Sequence, residues 1–404
     1  MELSEIDLWD LDRFVEGVPH EWFTTLRHEA PVYWHAKDEG PGFWAVTRYQ
    51  DVVQVNRDNI TFSSHRGATM LPDMEPEQLA QQQLMMLNMD PPMHTRYRLL
   101  VNKGFTPRMV ASLEARLREL TTGIVSRAIE LGECDFVTDV AAELPLQAIA
   151  EILGVPMEDR HKVFNWSNAM VGSNDEEYNT AAMEQAQLAS MELFAYASAL
   201  AQEKRVDPKE DLISILATKA EINGDRLTEL EQDLFFLLLS VAGNETTRNL
   251  IAHGMHFLFQ NPDQWKLLLE DRSLLPGAVD EMLRCASPVM SFRRTASCDT
   301  QIGDQPVKEG DKVIMWYISA NRDETVFADP HKFDIRRSPN DHVAFGGGGP
   351  HYCLGANLAK MEIKIIFEEL LERVPNIEQL DEPARLRSNF INGLKHLPVR
   401  MKAA

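Results

Sequence analysis

The sequence predicts a mainly α-helical fold with small β-sheets at its margins. Three observations lead there. A capping box, Thr228-Glu229-Leu230-Glu231, opens a helical pattern of about 30 residues that ends at Asn261-Pro262. Amphipathic helical segments follow one another from Met109 to about Asp207. Leu354, Leu358, Met361 and Ile365 recur at helical spacing after Cys353, so a further helix begins at or just after that cysteine.

Near the N-terminus, Val32-Tyr33-Trp34-His35 and Phe43-Trp44-Ala45-Val46-Thr47 are strand-like, and Lys37-Asp38-Glu39-Gly40-Pro41-Gly42 between them reads as a hairpin turn. Residues 51–56 look like the start of a short helix. Residues 61–89 form a long connector with Gly67, Pro72, Pro76 and a crowd of methionines, Met70, Met74, Met85, Met86 and Met89. Methionine adapts to irregular apolar surfaces, so a lid over an apolar substrate and a merely packed connector both fit. Asp90-Pro91-Pro92 then opens a helix that carries His94 and Arg98 on one face.

Helices over residues 113–129, 146–153, 163–171 and 183–204 are punctuated by Gly132-Glu133-Cys134-Asp135, Gly154-Val155-Pro156 and Gly172-Ser173-Asn174-Asp175. The long helix after Thr228 would span some 45 Å. It is apolar all round at Leu234-Phe235-Phe236-Leu237-Leu238-Leu239, which demands burial on every side. Into it falls Ala242-Gly243-Asn244-Glu245-Thr246-Thr247, where a glycine and a carboxylate are unfavourable unless the helix breaks towards water or something uses them. Further on, Glu281 and Arg284 can pair three residues apart. Short strands around 300–303 and 313–316 suggest a second small sheet.

The chain has 404 residues, 44% hydrophobic and 25% charged, enough for a large core. A net charge of −22 speaks against nucleic acid or an anionic membrane surface as partner. No N-terminal apolar run approaches the roughly 18 to 20 residues of a membrane span, and residues 1–12 are acidic without a signal-peptide pattern. Cys134, Cys285, Cys298 and Cys353 lack metal-type spacing, and so few thiols read as reduced and cytoplasmic. The first three read as ordinary buried thiols. With no repeat and no composition shift, one domain over 1–404 is expected. Its β-rich part would lie at about 30–60, its helical body at about 90–285, and a glycine loop with the last long helix at 345–375.

That loop is Phe345-Gly346-Gly347-Gly348-Gly349-Pro350-His351-Tyr352-Cys353-Leu354-Gly355. Consecutive glycines let the backbone take left-handed angles and approach a flat partner closely. A thiol at a helix N-terminus has its thiolate favoured by unpaired N–H groups and the positive dipole end. Three readings stand side by side: a buried cysteine after a flexible loop, a phosphate cradle that lacks its Gly-Lys-Ser/Thr, and an axial thiolate ligand to haem.

Phe345, the glycine-rich turn, the basic His351 two residues before Cys353, and Gly355 two after it resemble the haem-binding signature of the cytochrome P450 monooxygenases. Phe345 stands eight positions before Cys353, one more than is usual in that family. The resemblance implies the P450 fold, a triangular prism of about a dozen helices with small sheets and a long oxygen-binding helix over a buried haem b. It implies Cys353 as the iron ligand, with Phe345, Gly346, Ala242 and Gly243 against the cofactor. His94, Arg98, Arg294 and His351 would serve the propionates, with Arg293 as the alternative to Arg294. Ala242 to Thr247 matches the family's oxygen-binding kink, a backbone break at Gly243 that leaves Glu245 to relay protons and Thr246 to hydrogen-bond oxygen.

The resemblance also implies a buried scaffold of Glu281 and Arg284 joined by Arg337. It implies a substrate pocket drawn from Met85, Met86, Val241, Val289, Phe292, Phe390 and Ile391. The implied reaction inserts one oxygen atom of O2 into a C–H bond of a hydrophobic substrate. Electrons would come from NAD(P)H through a ferredoxin reductase and a ferredoxin, the latter docking at a basic patch of Lys103, Arg108, Lys360 and Lys364. Stretches 144–150, 163–168, 242–249 and 389–396 resemble bacterial enzymes that hydroxylate the side-chain terminus of steroids such as cholesterol or cholestenone. Terpenoid-alcohol and fatty-acid hydroxylation are alternatives on the same fold. A haem-thiolate protein that uses peroxide or reduces nitric oxide is a different class, against which the Glu245-Thr246 pair argues.

Overall fold

One strand, Lys312–Trp316, explains the arrangement of the β-structure, because Val313, Ile314, Met315 and Trp316 are all fully buried. A strand apolar on both faces belongs in the middle of a sheet. The computed structural model describes residues 1–404 apart from 38–39, 172–174, 176, 178–181, 220, 223–224 and 404. In it, β1 (Val32–His35), β2 (Phe43–Val46), β3 (Phe62–Ser63), β4 (Ser291–Ala296) and β5 (Lys312–Trp316) form one sheet in the order β1-β2-β5-β4-β3. β1 and β2 are the expected hairpin, with Val32 opposite Val46. β5 runs parallel to β2 and antiparallel to β4. The separate second sheet expected around 313–316 is therefore corrected: that strand joins the first sheet, and Thr300–Ile302 pairs only with Gln305–Val307.

Side chains alternate across β5. Val313 and Met315 pack with Val46, Val55 and Phe62, while Ile314 and Trp316 pack with Phe14, Phe23 and Phe43. The sheet sits in a compact unit made of Met1–Thr95, Asp280–Cys353 and Arg387–Asn392. The connector at 61–89 is shorter than its composition suggests, since it contains β3, the helix Pro76–Gln82 and the single turn Met86–Asn88. Residues 38–39 of the hairpin turn lie outside the described residues.

A second compact unit comprises Arg96–Val279, Leu354–Leu386 and Gly393–Ala404. It holds the helices Pro107–Leu131, Glu143–Leu153, Arg160–Val171, Ala182–Val206, Glu229–Gln260 and Ala356–Arg373. The expected breaker at 172–174 lies outside the described residues. At the start of Glu229–Gln260 the capping box is formed: Glu231 N–H donates to Thr228 Oγ1 at 3.3 Å, and Thr228 N–H donates to the Glu231 carboxylate at 2.7 Å. Leu234, Phe235, Phe236 and Leu239 are buried, but Leu237 and Leu238 are half-buried, so burial on every side is not reached.

That helix is continuous from Glu229 to Gln260, so the backbone break expected at Gly243 is not there. The glycine has another use. A Cβ on it would come within 2.9 Å of Ile149 on the helix Glu143–Leu153, so its bare backbone lets two helices approach closely. No disulfide joins the cysteines; Cys285 is buried as expected, but Cys134 is half-buried and Cys298 exposed. Among the described residues no helix is long and apolar enough to cross a membrane.

A charged cluster in this unit carries a pH prediction. His396 Nδ1 lies 2.5 Å from Asp135 Oδ2, its Nε2 lies 2.7 Å from Glu177 Oε1, and Lys395 Nζ lies 3.0 Å from Asp175 and 2.9 Å from Glu177. Burial alone would lower the imidazole pKa, but the hydrogen bonds and charges of Asp135 and Glu177 outweigh it and raise it above 6.5. A raised folded-state pKa gives stability that is full below the unfolded value and lost as pH rises through the folded one. Melting temperature should thus fall with pH above about 6.5 more steeply in the wild type than in His396→Gln. Equal slopes would remove His396 from the account.

Candidate active site

In the first unit the cysteine loop is fixed by a network that begins at Glu281. This fully buried carboxylate accepts from Arg284 Nη2 at 2.7 Å and Nε at 2.8 Å, from Arg337 Nε at 3.1 Å, from Asp334 N–H at 2.9 Å and from Asn340 Nδ2 at 3.1 Å. Arg284 also donates to the carbonyls of Asn321, Pro330 and Lys332. Asn321 Oδ1 in turn accepts from Val343 N–H at 2.7 Å, immediately before the loop. Burial opposes ionisation of Glu281, yet the hydrogen bonds and charge of Arg284, with Asp334 N–H and Arg337, hold its pKa below the usual carboxylate range.

Gly346, Gly348 and Gly349 have φ of +90°, +95° and +81°, angles that other residues adopt only under strain. The partner they approach is a helix of the protein, Tyr49–Arg57. A Cβ on Gly349 would lie 2.7 Å from the Asn56 carbonyl, and one on Gly347 would lie 3.0 Å from Val53. Arg57 Nε donates to the Gly347 carbonyl at 2.9 Å. The loop closes where Cys353 N–H donates to the Phe345 carbonyl at 3.0 Å. Cys353 is half-buried, and the terminal helix begins just beyond it at Ala356.

Around this loop the first unit gathers three of the basic residues singled out above. The rings of His94 and His351 lie 4.0 Å apart, and His351 Nε2 is 3.2 Å from Ser64 Oγ. Strand alternation separates the two adjacent arginines. Arg293 pairs with Asp73 at 3.0 Å, whereas Arg294 is buried and donates to the Arg293 carbonyl and to Asn56 Oδ1, at 2.8 and 3.3 Å. No carboxylate pairs with the Arg294 guanidinium among the described residues, and burial pushes its pKa down. Asn56, which touches both Arg294 and the glycine loop, carried no signal in the sequence.

Four apolar pocket candidates also meet in the first unit. Val289 and Ile391 form a β-bridge, the rings of Phe292 and Phe390 lie 5.6 Å apart, and Met290 N–H donates to the Phe390 carbonyl at 2.8 Å. Met85 and Met86 lie on another segment, beside the turn Met86–Asn88.

In the second unit, Leu238, Val241 and Thr246 are half-buried and Ala242 is exposed on the long helix, while Ser240, Asn244 and Leu250 are buried. This makes a more open, largely apolar face that carries one hydroxyl. Thr246 Oγ1 donates to the Ala242 carbonyl at 2.9 Å. Glu245 is buried, and Arg248 Nη2 donates to its Oε2, while Oε1 has no hydrogen-bond partner among the described residues. Burial raises the Glu245 pKa against the lowering effect of Arg248. Arg98 is partly buried, one turn after His94 on the helix Met93–Val101. Asn249 was passed over by the residue reading, although an asparagine in a buried helix interior is itself a signal.

Comparison with known proteins agrees with these features. The family model "Cytochrome P450" matches residues 125–385. A steroid C26-monooxygenase of Rhodococcus jostii (strain RHA1) is 44% identical over 407 residues, 98% of this chain and 85% of that protein. A methyl-branched lipid omega-hydroxylase of Mycobacterium tuberculosis (strain ATCC 25618 / H37Rv) is 44% identical over 409 residues, 99% and 94% of the two chains. Among solved structures, a Mycobacterium marinum cytochrome P450 in complex with pseudoionone has a TM-score of 0.91 at 39% identity, covering 96% of this chain and 97% of its own. The chain belongs to the cytochrome P450 family. It has the P450 fold and is a P450 monooxygenase.

The family carries haem on a cysteine thiolate. The residues here fit that group. Arg294 is a buried cation that makes no ion pair with a carboxylate among the described residues, the counterpart that a buried propionate needs, and Cys353 offers a half-buried sulfur at the end of the glycine loop.

Proposed function

We propose that this monooxygenase hydroxylates the terminal carbon of an apolar side chain on a steroid or methyl-branched lipid. The observation that carries the reading is 44% identity across 98% of the chain to the steroid C26-monooxygenase of R. jostii. The methyl-branched lipid omega-hydroxylase of M. tuberculosis supports it at the same identity. The two compact units would act as one catalytic domain, in keeping with a family match that draws on both.

Haem, when bound, supplies the oxidant for the C–H bond from O2 and two electrons. Cys353 would hold its iron, with Phe345, Gly346, Ala242 and Gly243 around the cofactor. Arg294, His94, His351 and Arg98 would serve the propionates; Arg293, the alternative to Arg294, pairs with Asp73 instead. Val289, Phe292, Phe390 and Ile391 seat the apolar end of the substrate and exclude water, with Met85, Met86 and Val241 as further lining. Glu245, whose pKa burial raises and whose Oε1 has no hydrogen-bond partner among the described residues, is the proton relay. Thr246, whose hydroxyl here donates to the Ala242 carbonyl, would be the hydroxyl that passes this proton on. Electrons reach the enzyme from NAD(P)H through a ferredoxin reductase and a ferredoxin, in the cytoplasm, with exposed Arg108 and half-buried Lys360 and Lys364 as docking charges.

The test is to titrate the holoenzyme with a cholestenone-type steroid, a methyl-branched fatty acid, an unbranched fatty acid and a terpenoid alcohol, following the haem spectrum and the products. A spin-state shift and a terminal alcohol from the first two, with ferredoxin and reductase supplied, are expected. Product from hydrogen peroxide alone, with none from the redox partners, would favour a peroxide-using enzyme instead.

A further inference from the structure

Asn249 is fully buried inside the long helix, in the second unit. Its side-chain amide is committed at both ends. Nδ2 donates to the carbonyl of Glu245 at 2.8 Å, and Oδ1 accepts from the backbone N–H of Leu394 at 3.1 Å. Asparagine is a weak helix former because its amide competes for backbone groups, and a side chain that bonds back to the carbonyl four residues earlier is the kind of contact that bends helices. Here the carbonyl belongs to the proposed proton relay. One turn earlier Thr246 does the same to Ala242.

Leu394 opens the strand Leu394–His396, which pairs with Ala384–Arg385. Between these strands the chain passes through the segment that carries Phe390 and Ile391. Its base is closed where Leu386 N–H donates to the Gly393 carbonyl at 3.0 Å. Gly393 has no room for a side chain: a Cβ would lie 2.9 Å from Leu386 Cβ and 3.4 Å from Asn249 Oδ1. The close neighbour that keeps this position bare is Leu386.

We infer that Asn249 is a positioning residue that registers the Glu245 peptide to the strand that opens at Leu394, and so sets the alignment of the Glu245-Thr246 pair. The inference rests on the proposed roles of those residues. Its consequence is selective: losing Asn249 should affect how electrons are used more than how tightly substrate binds. An electron pair not spent on hydroxylation reduces O2, with two protons, to hydrogen peroxide.

Asn249→Leu keeps the branched shape and removes both bonds. The holoenzyme variant should retain its reduced carbon monoxide spectrum and bind the steroid within about threefold of wild type, while product per NAD(P)H consumed falls several-fold and peroxide rises to balance. Independently of turnover, the Leu394 amide should exchange with deuterium about fivefold faster, since it has lost a buried acceptor. Asn249→Ala removes both bonds without adding bulk and should show the same coupling loss, which covers the case in which Asn249→Leu does not fold. Wild-type coupling in Asn249→Ala, or unchanged Leu394 exchange and coupling in Asn249→Leu, would overturn the inference. Wild-type enzyme that makes no terminal alcohol from any lipid would instead overturn the function on which it rests.

Discussion

Glu281→Ala is expected to destabilise the protein by about 3–5 kcal/mol, because it leaves Arg284 as a buried cation without its carboxylate. Against a typical net stability of about 5–15 kcal/mol, that is a large share. The five donors that converge on Glu281 come from Arg284, Arg337, Asp334 and Asn340, so the substitution also releases the segment that leads to Val343 and the cysteine loop. A melting temperature lower by about 5 °C should be accompanied by loss of haem on dilution. Glu281→Leu combined with Arg284→Met should recover part of the loss, since removing both charges abolishes the unpaired one. The wild type should also lose this contribution in acid. A carboxylate with a depressed folded-state pKa stabilises above its unfolded pKa and ceases to as pH falls through the folded one. A Glu281→Ala protein that melts within about 1 °C of wild type would refute the scaffold role.

Glu362→Gln is expected to do the opposite. Glu362 is buried in the terminal helix, its Oε2 has no hydrogen-bond partner among the described residues, and burial raises its pKa from 4.5 to about 8. A carboxyl whose folded pKa exceeds its unfolded one favours the folded state most fully below the unfolded value, and that advantage is lost as pH rises through the folded value. Glutamine carries no such linkage. The stability difference, variant minus wild type, should therefore be smallest near pH 4 and grow to a plateau above pH 8, on the order of 2–5 kcal/mol. Denaturant melts at pH 5, 7 and 9 give this directly. A difference that does not change with pH would mean that Glu362 ionises freely in the folded protein.

Local signals in the sequence translated well into structure, and long-range ones did not. The long helix was legible because its capping box and its apolar residues lie within the element itself. The five-stranded sheet was not, since an apolar run such as Val313 to Trp316 reads the same whether it is central to one sheet or part of another. Gly243 shows the same limit: a glycine that breaks a helix and one that admits Ile149 from a neighbouring helix look alike until the neighbour is placed. The four glycines of the cysteine loop announced a close approach but not to what, and Val53, Asn56 and Arg57 supply the answer. Arg293 and Arg294 differ in surroundings only once the strand has assigned them to opposite faces, one paired with Asp73 and the other bonded to Asn56.

The whole mechanism depends on sulfur from Cys353 binding iron. The most direct measurement is the absorption of the reduced protein under carbon monoxide, compared between wild type and Cys353→Ala. The account predicts the long-wavelength band of thiolate-bound haem in the wild type and its complete absence in the variant. A variant that keeps the band, or a haem-loaded wild type that never shows it, would contradict the account.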